Sequence, residues 1–262
     1  MRLFTIIFVI FYSTCIPQQQ LSIESQYIPH TDTCLVFTPS DYDETVKYPV
    51  IFLLHGWEAS YRQWSEITDL NKLANYYDFI FVCPDGFTDS WYVNNPLRPG
   101  LQIADFFIMD LIPFILDKYS IDRNKVFISG LSMGGFGAVS FFLDNQNIFR
   151  SCASTSGIMN IKTFKNNWGM SLAFGLYEQH PLNYSKFNPI EKLDKIEEIK
   201  PFLIDCGTED RIFVTNKEFF EKCQQNKIPI TFIAQPGIHN KKYWAKAIIQ
   251  HLNYFKNVII GD

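Results

Sequence analysis

The sequence lacks an excess of charge of either sign. Its 262 residues include 23 Lys and Arg and 27 Asp and Glu, so the formal net charge is −4 at pH 7. A basic stripe that would neutralise phosphates is missing, and we expect no nucleic-acid partner. Charged residues make up only 19% of the chain and apolar residues 47%, which excludes an intrinsically disordered protein. The composition predicts a globular protein with a large core.

Metal-binding spacings of cysteine and histidine are also missing. The chain has six cysteines but no Cys-x-x-Cys pair and no Cys/His cluster, so we expect neither a metal nor another cofactor. Cys15 belongs to the N-terminal segment, which leaves an odd number of cysteines for the rest of the chain. Most of these lie in or beside apolar runs, a pattern that favours small buried hydrophobic residues over a disulfide framework.

No apolar run is long enough for a stable transmembrane span, which needs about 20 residues. Arg2 precedes the mostly apolar segment Leu3–Tyr12, and Gln18–Gln20 ends it. This anatomy is typical of a secretory signal peptide, which we assign to residues 1–20 with cleavage near Cys15. The prediction is a secreted or periplasmic protein. Lipid attachment at Cys15 ranks second, and a buried N-terminal strand or helix is the remaining alternative.

Beyond this leader, short continuous apolar runs alternate with longer amphipathic segments. The runs are typical of strands buried on both faces, and they are Val50–Leu54, Phe79–Cys83, Val126–Ile128, Ser151–Ser154 and Pro201–Asp205. Helical spacing of apolar residues occurs at Glu66–Tyr77, Gln102–Tyr119, Gly134–Asp144, Asn216–Gln225 and Lys241–Phe255. This alternation predicts an α/β fold with a mostly parallel sheet. Residues 157–189 fit neither pattern and are interpreted as an insertion over one end of the sheet.

A tight change from strand to helix surrounds Ser132. Val126–Ile128 leads into Gly-Leu-Ser-Met-Gly at residues 130–134. Glycines around a serine let two backbone segments approach closely and expose the hydroxyl at the apex of a strained turn. In an open α/β sheet, ligands bind beyond the carboxyl ends of the strands. We therefore predict that Ser132 is a catalytic nucleophile.

A serine hydroxyl needs a base to remove its proton. Of the five histidines, His239 follows the strand-like segment Pro229–Ala234 on a loop before the last helix, where a general base can reach Ser132. His251 lies inside that helix, and we predict that it occupies a surface face.

Three carboxylates at the end of one apolar run are candidates for the acid that orients the base. Asp210 follows the turn at Gly207 and can reach sideways to His239, so we prefer it. Glu209 and then Asp205 remain as alternatives.

Residues after an early strand are candidates for the oxyanion hole. Gly56 lets the chain turn sharply after Leu53-Leu54-His55, so that the backbone N–H of Trp57 can act together with that of Met133. We expect His55 to brace this loop rather than to transfer protons. Aromatic side chains are candidates for a substrate-binding cleft, namely Trp91, Tyr92 and Trp168.

The ordered set of motifs resembles the esterase D-like "putative esterase" family of α/β-hydrolases, which includes tributyrin, feruloyl and acetylxylan esterases, S-formylglutathione hydrolases and mycolyltransferases. The resemblance covers about residues 33–255. It rests on Leu-Leu-His-Gly at 53–56, Ser-Trp-Tyr at 90–92, Asp-Leu-Ile-Pro at 110–113, Gly-Leu-Ser-Met-Gly-Gly at 130–135, Gly-Thr-Glu-Asp at 207–210 and Pro-Gly-x-His at 236–239.

The resemblance implies one α/β-hydrolase domain over residues 21–262, with helices on both faces of the sheet and the small insertion at 157–189 over the active site. It places Ser132, Asp210 and His239 in a catalytic triad and gives Trp57 and Met133 the oxyanion role. One departure is Glu58-Ala59-Ser60, where family members often have a glycine.

These observations predict an exported serine carboxylesterase that hydrolyses short-chain or carbohydrate-linked acyl esters through an acyl-enzyme. An S-formylglutathione hydrolase-like thioesterase or an acyltransferase is the first alternative. A catalytically silent carbohydrate-binding homologue is the second.

Overall fold

An eight-stranded mixed sheet organises the part of the chain that the computed structural model describes, residues 18–196 and 199–261. The strands are β1 (Gln18–Ile23), β2 (Asp32–Phe37), β3 (Tyr48–Leu54), β4 (Ile80–Pro84), β5 (Ile121–Leu131), β6 (Ser151–Thr155), β7 (Phe202–Gly207) and β8 (Ile230–Gln235). Their order is β1-β2-β4-β3-β5-β6-β7-β8. The pairs β1/β2 and β2/β4 are antiparallel, and every other pair is parallel.

Strands β3 to β7 confirm the five apolar runs read from the sequence. In β3, Val50, Phe52 and Leu54 pack into the core on one face of the sheet, whereas Ile51 and Leu53 pack into the core on the other. Side chains alternate between the two faces of a strand, so a strand covered on both faces needs a continuous apolar run. The predicted mostly parallel sheet with helices on both faces is confirmed.

The antiparallel strands β1 and β2, of which β1 is at the edge of the sheet, were not predicted. In β1, exposed and half-buried residues alternate until Ile23, which is buried. A polar edge strand contains no apolar run that would reveal it. Gln18–Gln20, which the sequence analysis assigned to the leader, belong to β1 and pair with Leu35–Phe37 of β2. The rest of the leader, including Cys15, lies outside the described residues.

The helices cover both faces of the sheet. They are α1 (Gln63–Ile67), α2 (Leu70–Tyr77), α3 (Ile103–Asp105), α4 (Ile112–Lys118), α5 (Met133–Asp144), α6 (Met170–Phe174), α7 (Pro181–Phe187), α8 (Pro189–Lys192), α9 (Phe213–Gln225) and α10 (Lys241–Ile260). Helices α2 and α10 share one core with the sheet, and α4, α5 and α9 share the core on the opposite face. None of the helices in the described ranges is long and apolar enough to cross a bilayer.

Two of the predicted helices are interrupted. The segment Glu66–Tyr77 is divided between α1 and α2, because Thr68 adopts an extended backbone conformation. The segment Gln102–Tyr119 passes through a π-helical turn at Phe106–Leu111 before α4. Pro113 follows that turn at the start of α4, where a missing backbone N–H is tolerated.

The cysteines of the described chain are free thiols in the core, as the sequence predicted: Cys34, Cys83, Cys152, Cys206 and Cys223. Burial raises the pKa of the Cys34, Cys83 and Cys152 thiols above the ordinary value. These thiols are inert apolar packing groups rather than nucleophiles.

Candidate active site

Ser132 occupies the turn between β5 and α5 in a strained conformation, with φ 54° and ψ −120°. A Cβ atom at Gly130 would lie 2.1 Å from the carbonyl oxygen of Gly134, and a Cβ at Gly134 would lie 2.3 Å from the carbonyl oxygen of Leu54. Only glycine fits at these two positions, since any side chain would collide with backbone. The backbone N–H of Ser132 donates to the carbonyl of Thr155, 3.0 Å away, which ties the turn to β6.

His239 lies between Ser132 and Asp210 and is hydrogen-bonded to both. Its Nε2 is 3.0 Å from the Ser132 hydroxyl, and its Nδ1 is 2.8 Å from Oδ2 of Asp210. A carboxylate can only accept, so Nδ1 carries the proton and Nε2 is free to accept from the serine. The loop after β8 and the loop after β7 therefore bring together the base and the preferred acid of the sequence analysis.

Asp210 is held in its ionised form. Its carboxyl is fully buried, and burial raises its pKa, but the hydrogen bond and charge of His239 lower it, and the N–H of Ile212 donates to Oδ1 over 3.1 Å. The net effect is a pKa below the ordinary range. An ionised Asp210 can hold the imidazole in one tautomer and stabilise the positive charge that develops on it.

The two alternative acids lie elsewhere. Asp205 is fully buried and bonds to His251, whose Nε2 is 2.5 Å from Oδ2. Glu209 is exposed, and its backbone N–H donates to the carbonyl of Gly237. The prediction that His251 occupies a surface face was wrong, because its side chain is completely buried against the sheet.

The loop after β3 supports the predicted oxyanion donor Trp57. Gly56 donates its N–H to Oε1 of Gln63 over 2.7 Å, and its carbonyl accepts from Nδ1 of His55 over 2.8 Å. Nε2 of His55 accepts the N–H of Gly86 over 2.9 Å, so the imidazole braces two loops. Within residues 18–196 and 199–261, neither the N–H of Trp57 nor that of Met133 donates to a loop or side-chain acceptor. Both amides are available to an oxyanion.

Ser132 and His239 open into a cleft of about 180 Å³. The lining residues come from the segments that follow strands β3 to β8, from the end of β5 and from the first turns of α1 and α10, and they are Gly56, Trp57, Gln63, Trp91, Leu131, Ser132, Ile158, Trp168, Arg211, Ile212, His239 and Trp244. The insertion between β6 and β7 supplies Ile158 and Trp168. The backbone carbonyl of Trp168 accepts a hydrogen bond from the indole N–H of Trp91 over 2.9 Å. This bond attaches the insertion to the wall of the cleft.

Of the three predicted aromatic residues, Trp168 is half-buried and lines the cleft, Trp91 adjoins the cleft but is completely buried, and Tyr92 does not line it. Tyr92 is almost completely buried, and its hydroxyl donates to the carbonyl of His55 over 3.0 Å. Its ring fills the space beside Gly86 and Gly137, where a Cβ atom would lie 2.1 and 2.6 Å from it. Tyr92 therefore braces the loop at His55 rather than facing a substrate, which corrects the sequence interpretation.

Sequence reasoning missed three polar or aromatic residues of the cleft. Gln63 anchors Gly56, Arg211 stacks on Trp168, and the ring of Trp244 packs edge-on against His239 at a centroid distance of 5.1 Å. A usable signal existed only for Arg211, which directly follows the preferred acid. In the described part of the chain, no group of three His, Cys, Asp or Glu side chains is arranged to hold a metal ion.

Residues 25–255 match the sequence model of the family described as "Putative esterase". The chain belongs to this family. An acetyl esterase of Caldicellulosiruptor saccharolyticus is 22% identical, covering 91% of this chain and 98% of the relative. The S-formylglutathione hydrolase of Bos taurus is 23% identical over 80% of this chain and 83% of its own length.

Solved structures share the fold of this chain. FphF, a fluorophosphonate-binding serine hydrolase of Staphylococcus aureus, superimposes with a TM-score of 0.79 at 23% identity, covering 91% of this chain and 97% of that chain. A ferulic acid esterase gives the same TM-score and identity, covering 92% and 98%. The predicted family resemblance and α/β-hydrolase fold are both confirmed.

Proposed function

We propose that this member of the esterase family is an exported serine carboxylesterase that hydrolyses short-chain or carbohydrate-linked acyl esters through an acyl-enzyme. The observation that carries the proposal is the hydrogen-bonded chain from Ser132 through His239 to Asp210, which opens into a cleft. A serine, its base and the acid that orients the base are the groups that nucleophilic ester cleavage requires.

The first half of the reaction forms the acyl-enzyme. Oγ of Ser132 attacks the ester carbonyl while Nε2 of His239 takes its proton. The resulting oxyanion accepts the N–H groups of Trp57 and Met133, each of which contributes about 3–4 kcal/mol to the transition state. The intermediate collapses, the carbon–oxygen bond to the alcohol breaks, and the alcohol leaves with the proton from His239.

The second half releases the acid. A water molecule gives its proton to Nε2 of His239 and attacks the acyl carbonyl, and the same amides hold the second oxyanion. When this intermediate collapses, the bond to Ser132 breaks, its oxygen regains the proton from His239, and the carboxylic acid departs. Ionised Asp210 stabilises the imidazolium in both halves.

The size of the cleft supports a short acyl chain. Its volume of about 180 Å³ is small, and the indoles of Trp57 and Trp168 form part of its wall. Aromatic rings present flat apolar surfaces that suit a short acyl chain or the face of a sugar.

Export rests on the N-terminal sequence. The positive residue, the apolar segment and the polar residues that follow it have the anatomy of a signal peptide. Cleavage near Cys15 would remove the leader and leave β1, which begins at Gln18, intact. Lipid attachment at Cys15 remains the second proposal for this segment.

Thioester hydrolysis is a second candidate activity, because relatives at 21–24% identity are named S-formylglutathione hydrolases. Comparison of kcat/KM for acetyl, butyryl and feruloyl esters with that for S-formylglutathione decides between the two. A preference for the oxygen esters supports the first proposal.

The decisive experiment is hydrolysis of p-nitrophenyl acetate by the wild type and Ser132→Ala. We expect Ser132→Ala to lower kcat by about 10⁶-fold, since the nucleophile acts as a unit with its base. Ser22→Ala, which removes an exposed hydroxyl from edge strand β1, is the matched control and keeps wild-type activity. Equal rates for the wild type and Ser132→Ala would refute the assignment.

A further inference from the structure

Arg211 places a positive charge in the cleft that contains Ser132. It directly follows Asp210, between β7 and α9, and lines the same cleft as Ser132 and His239. Its guanidinium carbon lies 4.6 Å from the centroid of the Trp168 ring. Stacking on one face of a guanidinium leaves its N–H edges free to bind a carboxylate in the plane of the group.

The charge of Arg211 is not neutralised within the described chain. No Asp or Glu side chain among these residues lies within 4.0 Å of it, whereas Arg98 and Arg123 are paired with Asp89 and Asp117 at 3.6 and 2.6 Å. The lining of the cleft contains no Asp or Glu. Asp210, the nearest carboxylate in sequence, is buried and bonded to His239 and to the N–H of Ile212.

The Arg211 side chain is exposed, so a substrate that enters the cleft can reach its guanidinium. Trp57 and Trp168 line the cleft beside it with apolar surface, which limits the screening of a charge pair by water. The chain as a whole carries a net charge of −4. Long-range electrostatic attraction therefore does not favour anionic substrates. Selective binding of an anionic substrate must come from a local contact.

We propose that Arg211, held in place by Trp168, binds a carboxylate of the substrate, so that the preferred substrates are esters with an acidic acyl or alcohol part. This inference rests on the proposed esterase function. Arg211 is then a specificity-determining residue, and the Arg211–Trp168 pair is the binding site for the anionic group.

The test uses two pairs of esters whose members differ by one charge. On the alcohol side, 4-acetoxybenzoate is compared with its methyl ester. On the acyl side, mono-4-nitrophenyl adipate is compared with its methyl ester. For each pair, the ratio of kcat/KM for the charged ester to that for the neutral ester is measured in the wild type, Arg211→Gln and Arg211→Lys.

We expect Arg211→Gln to lower this ratio by about tenfold for one of the two pairs, because a hydrogen-bonded charge is lost. Arg211→Lys retains the positive charge but loses the planar set of guanidinium N–H donors. We expect its ratio to lie between those of the wild type and Arg211→Gln. The ester pair whose ratio falls shows whether Arg211 binds the acyl part or the alcohol part of the substrate. Arg123→Gln removes a surface charge near the amino end of β5 and leaves both ratios unchanged. Unchanged ratios for both pairs in Arg211→Gln would overturn the inference.

A binding measurement separates this inference from the proposed function. In Ser132→Ala, titration with the two charged esters and their methyl esters is followed by tryptophan fluorescence, since Trp57 and Trp168 line the cleft. Tighter binding of a charged ester that depends on Arg211 supports the site even if no ester is turned over. Equal affinities with and without Arg211 would reject it even if turnover depends on Ser132.

Discussion

The protein contains the same three residue types in two places, with opposite access to solvent. The cleft set is Ser132, His239 and Asp210, and 22% of the His239 side chain is exposed. The buried set is Ser129, His251 and Asp205, and every one of these side chains is completely buried. The distances are similar, with Ser129 Oγ 2.9 Å from His251 and Asp205 2.5 Å from it.

The buried set links the sheet to α10. Ser129 lies on β5, Asp205 on β7 and His251 on α10. The hydroxyl of Thr155 on β6 donates to Oδ1 of Asp205 over 2.8 Å, and the carbonyl of Thr155 accepts the N–H of Ser132. The comparison teaches that spacing and residue type do not distinguish a reactive set from a structural one. Access to a substrate does.

Covalent labelling gives the largest expected contrast between the two sets. A fluorophosphonate reacts with an activated serine that it can reach, so we expect complete labelling at Ser132 and none at Ser129. Mass spectrometry of the labelled peptides identifies the modified residue. Labelling disappears in Ser132→Ala and persists in Ser129→Ala. A phosphonylated Ser129 would remove the distinction between the sets.

The acids should differ by several orders of magnitude in their effect on turnover. Asp210→Asn is expected to lower kcat by about 10⁴-fold, because the amide no longer holds His239 in the required tautomer. Asp205→Asn makes the matched change in the buried set, and we expect a kcat within about tenfold of the wild type, since Asp205 contacts neither His239 nor the cleft. Both values come from p-nitrophenyl acetate hydrolysis by protein whose fold has been verified by circular dichroism. Equal losses would contradict the assignment of Asp210.

For stability, in contrast to turnover, we expect the larger loss from a substitution in the buried set. His251→Gln removes a hydrogen-bond partner from the completely buried Asp205 carboxyl, and we expect the free energy of unfolding to fall by about 3 kcal/mol. His239→Gln makes the same change beside the Asp210 carboxyl, which is also buried, but the His239 side chain is 22% exposed, so water can replace it, and we expect a loss of about 1 kcal/mol. Urea denaturation measures both. A larger loss for His239→Gln would reverse the comparison.

The smallest expected effect is a pH dependence of stability from Asp210. Its pKa in the folded protein lies below the ordinary value of 3.8. The stabilisation is therefore fully present above that value and is lost as the pH falls through the lower pKa of the folded state. The difference in unfolding free energy between the wild type and Asp210→Asn should shrink as the pH is lowered from 5 to below 3. A difference that grows on acidification would contradict this.

Much of the fold was predictable because central strands of a doubly covered sheet must be apolar throughout. The edge strand β1 escaped prediction because its outward residues are polar. His251 was placed wrongly although a signal was present. Ile248, His251, Leu252 and Phe255 recur at helical spacing and are all buried in α10, so periodicity puts His251 on the apolar face.

The candidate site also contains residues that the sequence predicts and residues that it does not. Gly130 to Gly134 were recognisable because a tight strand-to-helix turn requires small residues at fixed positions. Asp210 was preferred to Asp205 because it follows a turn that can redirect the chain. Gln63 and Trp244 were not recognisable, since their roles depend on α1 and α10 meeting at the cleft.

The sequence by itself determined the alternation of strands and helices, the strained turn around Ser132 and the chain order of Ser132, Asp210 and His239. These are local properties, because backbone sterics and the periodicity of apolar residues act over a few positions. Only the tertiary structure decided which histidine meets which carboxylate and which of the two sets is open to a substrate. Those outcomes depend on how β5, β7, β8 and α10 pack together, and residues 29 to 122 positions apart in the chain meet there.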